Sequence, residues 1–155
     1  MPLIDPKDAP LKIGASYPPE YNAPCANRSV LSLGDAGGLT QFGAHLVTLP
    51  VGSWASQRHV HSSEDEFCYI LTGQPTLIDD NGEQLLYAGD ALAHKAGDGN
   101  AHHLVNKSDQ EVTFLVVGSR RPDIDDVTYP DIDLEVTSNG TMARHFTCKD
   151  GLPIK

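Results

Sequence analysis

The stretch GSWASQRHVHSSEDEFCYILTG, residues 52–73, decides how this chain is read. One residue separates His59 from His61, so in an extended segment both imidazoles leave the same face. Neutral imidazoles on one face are good ligands for a first-row divalent metal. A hairpin-scale return after His61 brings Glu66 to the start of the next strand, beside the pair, and adds an anionic oxygen. From Glu66 the run EFCYILT is rich in β-branched and aromatic residues and stops at Gly73. Alternation puts Cys68 on the face of Glu66, and Gln57 on the face of His59. Both are candidate ligand contacts.

Outward from this stretch the chain continues in short segments, with 11 prolines and 14 glycines spread through it and no long helical period. Phe42 to Leu49 is a strand-type run ending at Pro50. Thr76 to Ile78 leads into Asp79-Asp80-Asn81-Gly82, where Asn-Gly signals a hairpin, and Gln84 to Tyr87 returns. A further segment starts at Gly89-Asp90, and Ala101 to Val105 and Val112 to Val117 complete the set. Such spacing predicts a sandwich or barrel of six to eight strands. Residues 97–106, GDGNAHHLVN, offer His102 or His103 as a fourth ligand from a non-local strand. Asn106 shares the face of His102 and is a third candidate ligand contact.

These two segments resemble the paired motifs of the cupin superfamily. The first is carried by Gly52, His59-x-His61, Glu66 and Gly73, and the second by Gly89, Gly97, His102 and Asn106. The chain departs from the family pattern by one extra residue before His59, by Lys95 where proline is expected, and by two extra residues before His102. The resemblance implies an all-β fold, a double-stranded β-helix (jelly-roll) barrel with one metal ion inside, bound by three histidines and one glutamate. Carried over by position, these are His59, His61, Glu66 and His102. The trailing Asn106 favours His102 over His103. The likeness is to small one-domain cupins of the cupin 2 type, for which no reaction is assigned. The organisation expected is an N-terminal arm over residues 1–38 with one edge strand, a barrel over 39–118, and a C-terminal tail over 119–155 with strands at Ile132 to Val136 and Met142 to Thr147.

Composition narrows the partners. The 155 residues fit one domain, and 39% of them are hydrophobic, enough for one core. A formal charge of −10, from 21 acids against 11 bases, disfavours nucleic acid. No apolar run is long enough to span a membrane, and the first ten residues do not read as a signal peptide, so a cytoplasmic location is expected. Cys25, Cys68 and Cys148 match no CxxC spacing and are expected to be reduced thiols. His45, His94 and His145 read as packed or edge histidines, Trp54 as a rim or interface residue, the sequence Gly34 to Gly38 as a loop, and the acids Asp123, Asp125 and Asp126 as a solvated loop. A homodimer is expected, with the arm adding a strand to a partner's sheet edge.

Two classes of function follow. In the first, Fe, Mn, Ni or Zn serves an enzyme acting on a small oxygen-rich molecule by oxygenation, decarboxylation or isomerisation, all of which the family hosts. In the second, the barrel is a non-catalytic module that senses or stores a small ligand or a metal, as a closed four-ligand zinc would suit.

Overall fold

Short β-type runs punctuated by glycine and proline build antiparallel sheets, because no segment carries the period of a long helix. The computed structural model describes residues 3–141 and 145–154. In chain order its strands are β1 (Leu11–Ile13), β2 (Ser29–Ser32), β3 (Phe42–Leu49), β4 (Val60–His61), β5 (Glu66–Thr72), β6 (Thr76–Asp79) and β7 (Gly82–Leu85). They continue with β8 (Ala91–His94), β9 (His103–Val105), β10 (Val112–Ser119), β11 (Val127–Tyr129), β12 (Leu134–Val136) and β13 (Phe146–Thr147). The helices α1 (Pro19–Asn22) and α2 (Leu33–Ala36) are single turns.

One layer is a six-stranded sheet in the order β1-β2-β3-β10-β5-β8, antiparallel throughout. Opposite it lie β13-β12-β11-β4 and β7-β6-β9. Residues 53–59 join these two by running antiparallel to β9: Asn106 N–H donates to Ser53 O, Ala55 N–H to Leu104 O, and His59 and His102 exchange both backbone hydrogen bonds. The core between the layers includes Val47, Leu49, Cys68, Ile70, Leu77, Leu104, Val112 and Phe114. A second cluster, Val127, Tyr129, Leu134 and Val136, packs with Tyr17 and Tyr21 from the N-terminal segment.

Strand register sorts the side chains of the six-stranded sheet. Facing inward are the rows Lys12–Val30–Val47–Phe114–Ile70 and Ser32–His45–Val116–Cys68–Leu92. Facing outward is Leu11–Leu31–Leu46–Leu115–Tyr69–Ala91. On that outer face Leu11, Phe67, Tyr69 and Leu71 are 61%, 41%, 40% and 43% exposed, which leaves an apolar surface uncovered in the single chain. Gly73 ends β5 at φ +79°, and a Cβ there would lie 2.7 Å from the Glu111 carbonyl oxygen, so both its conformation and the close approach require glycine.

The two-layer all-β architecture is the one the sequence predicts, with more and shorter strands than six to eight. Strands of two to four residues carry too little alternation to be read locally. Within residues 3–38, β1 lies at the edge of the six-stranded sheet, and β2 pairs directly with β3. The expected loop at Gly34 to Gly38 begins inside the helical turn α2. The tail strand expected at Ile132 to Val136 is β12, and of Met142 to Thr147 the structure shows β13, while Met142 to Arg144 lie outside the described residues.

Candidate metal centre

Backbone pairing brings the histidines together. His59 and His102 are an antiparallel bridge pair, with N–H···O distances of 3.1 and 2.9 Å, so their side chains emerge side by side. Their ring centroids are 5.1 Å apart. His61, two residues on, shares the face of His59 at a ring separation of 5.0 Å. Glu66 opens β5 and faces this group from the other layer. Ligating atoms of His59, His61 and Glu66 all lie within 4.8 Å of one another. His102 stands outside that tightest trio, yet its Nε2 is 3.4 Å from Glu66 Oε1.

The outer nitrogens of the three imidazoles are held by acceptors. His59 Nδ1 meets the Gln57 carbonyl at 2.9 Å, His102 Nδ1 the Asn100 carbonyl at 3.3 Å, and His61 Nδ1 the Asp125 carboxylate at 2.7 Å. A carbonyl or carboxylate can only accept, so each Nδ1 carries the proton and each Nε2 presents a lone pair inward. Three lone pairs and the Glu66 carboxylate thus converge with no donor among them, and His102 Nε2 faces Glu66 Oε1 acceptor to acceptor. That donor set fits a divalent cation.

The charge states agree. Burial alone would raise the Glu66 pKa, but the adjacent His102 ring and the neighbouring imidazoles bring it down to about 2, so the carboxylate is ionised. Burial, reinforced by His61 and His102 against the pull of Glu66, lowers His59 to about 3, so it is neutral and free to ligate. Burial and nearby Glu66 hold the Cys68 thiol well above its ordinary range, and its Sγ donates to Glu66 Oε1 at 3.7 Å.

Adjacent residues separate by face. His103 points away from the cluster, donating from Nδ1 to the Ser56 carbonyl at 3.0 Å and meeting the Trp54 ring edge-on at 4.9 Å. Of the three candidate ligand contacts, only Cys68 lines the cavity. Gln57 donates its side-chain amide to the Tyr21 carbonyl at 2.6 Å. Asn106 is fully buried and donates to the Leu49 and Gln110 carbonyls at 2.9 and 2.7 Å, bracing the loop after β9. Both amides are committed to backbone carbonyls.

Other residues enter that the sequence did not mark. Asp125 is not part of a solvated loop. It is 1% exposed and accepts from Ser63 N–H and Glu64 N–H as well as from His61. It forms a second acid–histidine trio with Glu64 and His61, but its oxygens are occupied by these donors, which makes it a support for His61. His94 pairs across the sheet with Glu66, and its ring stacks on His102 at 3.3 Å. His45 also lines the cavity, and its buried Nδ1 has no hydrogen-bond partner among the described residues. Arg58 points outward between His59 and His61 and forks onto Asp131 at 2.8 and 2.7 Å while also bonding Asp80, which fixes the ligand strand from behind. The cavity holding the cluster measures about 350 Å³, within the size range of small-molecule sites.

The profile of the cupin domain family matches residues 45–118, a span that contains all four candidate ligands. A solved structure from Silicibacter pomeroyi, described as a sugar phosphate isomerase from a cupin superfamily, is 44% identical over 99% of this chain and 97% of its own, with a TM-score of 0.92. This chain is a cupin. A candidate sugar phosphate isomerase from Acidithiobacillus ferrooxidans is 29% identical over 86% of this cupin and 83% of its own chain, with a TM-score of 0.76. A cupin protein from Bacteroides fragilis is 28% identical over 58% of this chain and 75% of its own, with a TM-score of 0.52. No curated protein matches the chain. Among the described residues, no helix is long and apolar enough to cross a membrane.

Proposed function

We propose that this cupin is a metal-dependent enzyme that isomerises a small sugar phosphate. The observation that carries the reading is the convergence of three Nε2 lone pairs and the Glu66 carboxylate inside a cavity of ligand size. The name of the similar Silicibacter protein supports the substrate class. His59, His61, Glu66 and His102 would hold an Fe, Mn, Ni or Zn ion. Such an ion acts as a Lewis acid toward the hydroxyl and carbonyl oxygens of a substrate.

Isomerisation between an aldose and a ketose moves a proton between neighbouring carbons and needs no co-reactant. A neutral base inside the cavity can carry that proton. His45 has the required character. Burial lowers its pKa, so it is neutral near pH 7, and its Nδ1 has no partner among the described residues. Its ring lies over Gly43, where a Cβ would come within 2.6 Å of His45 Nε2, so glycine at that position leaves the imidazole its room. The test combines elemental analysis of protein purified without chelator with NMR detection of aldose–ketose conversion of sugar phosphates. Conversion is expected to stop on chelation and to return with metal. His45→Gln is expected to keep the metal and lower turnover by about 100-fold or more. A protein that holds metal and converts no sugar phosphate would instead be a binding module.

The homodimer belongs to the same proposal. The apolar outer face of the six-stranded sheet, with β1 at its edge, is suited to cover by a second copy. Sedimentation is expected to give twice the 16.7 kDa chain mass. Tyr69→Lys is expected to shift the protein toward monomer with its metal retained. A monomer mass at every concentration would remove the dimer.

A further inference from the structure

The cavity is not acidic throughout, although the chain carries 21 acids against 11 bases. Lys12 and Arg28 line it together with His59, His61, Glu66 and His102. Lys12 stands on β1, at one edge of the six-stranded sheet, whereas Glu66 and His94 stand on β5 and β8 at the other. With Arg28 directly preceding β2, the cationic pair stands on the β1–β2 side of the cavity and Glu66 and His94 on the β5–β8 side.

Neither cation is neutralised by a carboxylate among the described residues. Arg58, Lys107 and Arg120 all have acidic partners. Lys12 Nζ instead donates to Ser16 Oγ at 2.5 Å. Arg28 spends Nε on the Gly14 carbonyl at 3.2 Å and Nη1 on the Ala55 carbonyl. Those carbonyls fix the guanidinium plane, and Nη2 has no protein acceptor among the described residues. Both cations line the same cavity, where burial, and after it the charge of Arg28, lowers the Lys12 pKa. Two unneutralised like charges held on one side of a cavity are an anion site waiting for its ligand: an anion between them relieves their repulsion and gains charge-assisted hydrogen bonds.

We infer that Lys12 and Arg28 form a phosphate subsite, binding the phosphoryl end of a substrate whose hydroxyl and carbonyl end faces His59, His61, Glu66 and His102. This inference rests on the proposed sugar phosphate chemistry and assigns the residues that select the phosphorylated substrate. The tetrahedral dianion suits the pair, because the fixed Arg28 Nη2 and the mobile Lys12 ammonium can bond different oxygens.

The experiment uses inorganic phosphate as probe and calorimetry on the full chain after chelator treatment, so that phosphate cannot bind to a metal. Saturable binding is expected in the wild type. Lys12→Gln, on an exposed edge strand, is expected to weaken it about tenfold or more, and Lys12→Arg to restore most of it. Acetate at equal ionic strength is expected not to displace phosphate. Unchanged affinity in Lys12→Gln, absence of saturable binding in the wild type, or equal displacement by acetate would each overturn the subsite. Loss of the subsite with metal content and turnover intact would leave the proposed isomerase standing. Saturable phosphate binding in a wild type that takes up no metal when metal is added back would remove the isomerase and keep the subsite.

Discussion

Alanine at His59, His61, Glu66 or His102 is expected to lower metal affinity by more than about 100-fold, beyond the roughly 10–100-fold that follows loss of an outer partner. Each substitution removes one of four convergent acceptors, and the remaining three cannot close up, because each is fixed by its own backbone. His59 and His102 are locked as a bridge pair, His61 is anchored to Asp125, and Glu66 is tied into β5 between β8 and β10. His103→Ala is the control. It removes the bond to the Ser56 carbonyl and the Trp54 contact, so it is expected to lower the melting temperature while leaving metal content near that of the wild type. Elemental analysis of each variant, joined to melting curves with and without chelator, reads both effects, since an ion that binds only the folded state raises its stability. Metal retained in His102→Ala and lost in His103→Ala would overturn the assignment of the fourth ligand.

The sequence shows the fold where a strand is long enough to display alternation. β5 runs Glu66, Cys68 and Ile70 inward and Phe67, Tyr69 and Leu71 outward, and that pattern is visible without coordinates. The proximity of His59 to His61 is equally local, because it depends only on the two-residue period of an extended chain. Period alone fails at the ends of strands. Asn106 has the parity of His102, but β9 stops at Val105, and past that point the side chain turns to the carbonyls of Leu49 on β3 and Gln110 in its own loop. Gln57 precedes β4 and is drawn to the Tyr21 carbonyl by the N-terminal segment packed over it. His45 and His94 look like ordinary strand residues until pairing sets His45 opposite Ser32 and Val116, and His94 opposite Glu66. Register across non-local strands is the information that a single sequence read by period does not hold.

Asp125 carries that lesson into a second expected result. The acids at 123, 125 and 126 have no periodicity, and only the pairing of β11 with β4, with Val127 opposite His61, folds Asp125 back against the ligand strand. There one oxygen accepts the His61 Nδ1 proton, and the other accepts Ser63 N–H at 2.9 Å and Glu64 N–H at 3.2 Å. Asparagine at this position can still accept the two backbone donors through its carbonyl oxygen. Its amide N–H₂ would then face His61 Nδ1–H, donor to donor. The conflict is relieved when His61 moves its proton to Nε2, which removes the lone pair needed for the metal. Asp125→Asn is therefore expected to weaken metal binding by about 10–100-fold with the fold retained. Asp125→Ala also strands the Ser63 and Glu64 amides, so it is expected to lower both metal affinity and the melting temperature. Competition against a chromogenic chelator gives the affinity, and a ring-nitrogen NMR spectrum of the metal-free protein reports which His61 nitrogen carries the proton. Wild-type affinity in Asp125→Asn, with His61 still protonated on Nδ1, would show that Asp125 does not act through the tautomer. Its burial against His61 would then serve packing alone.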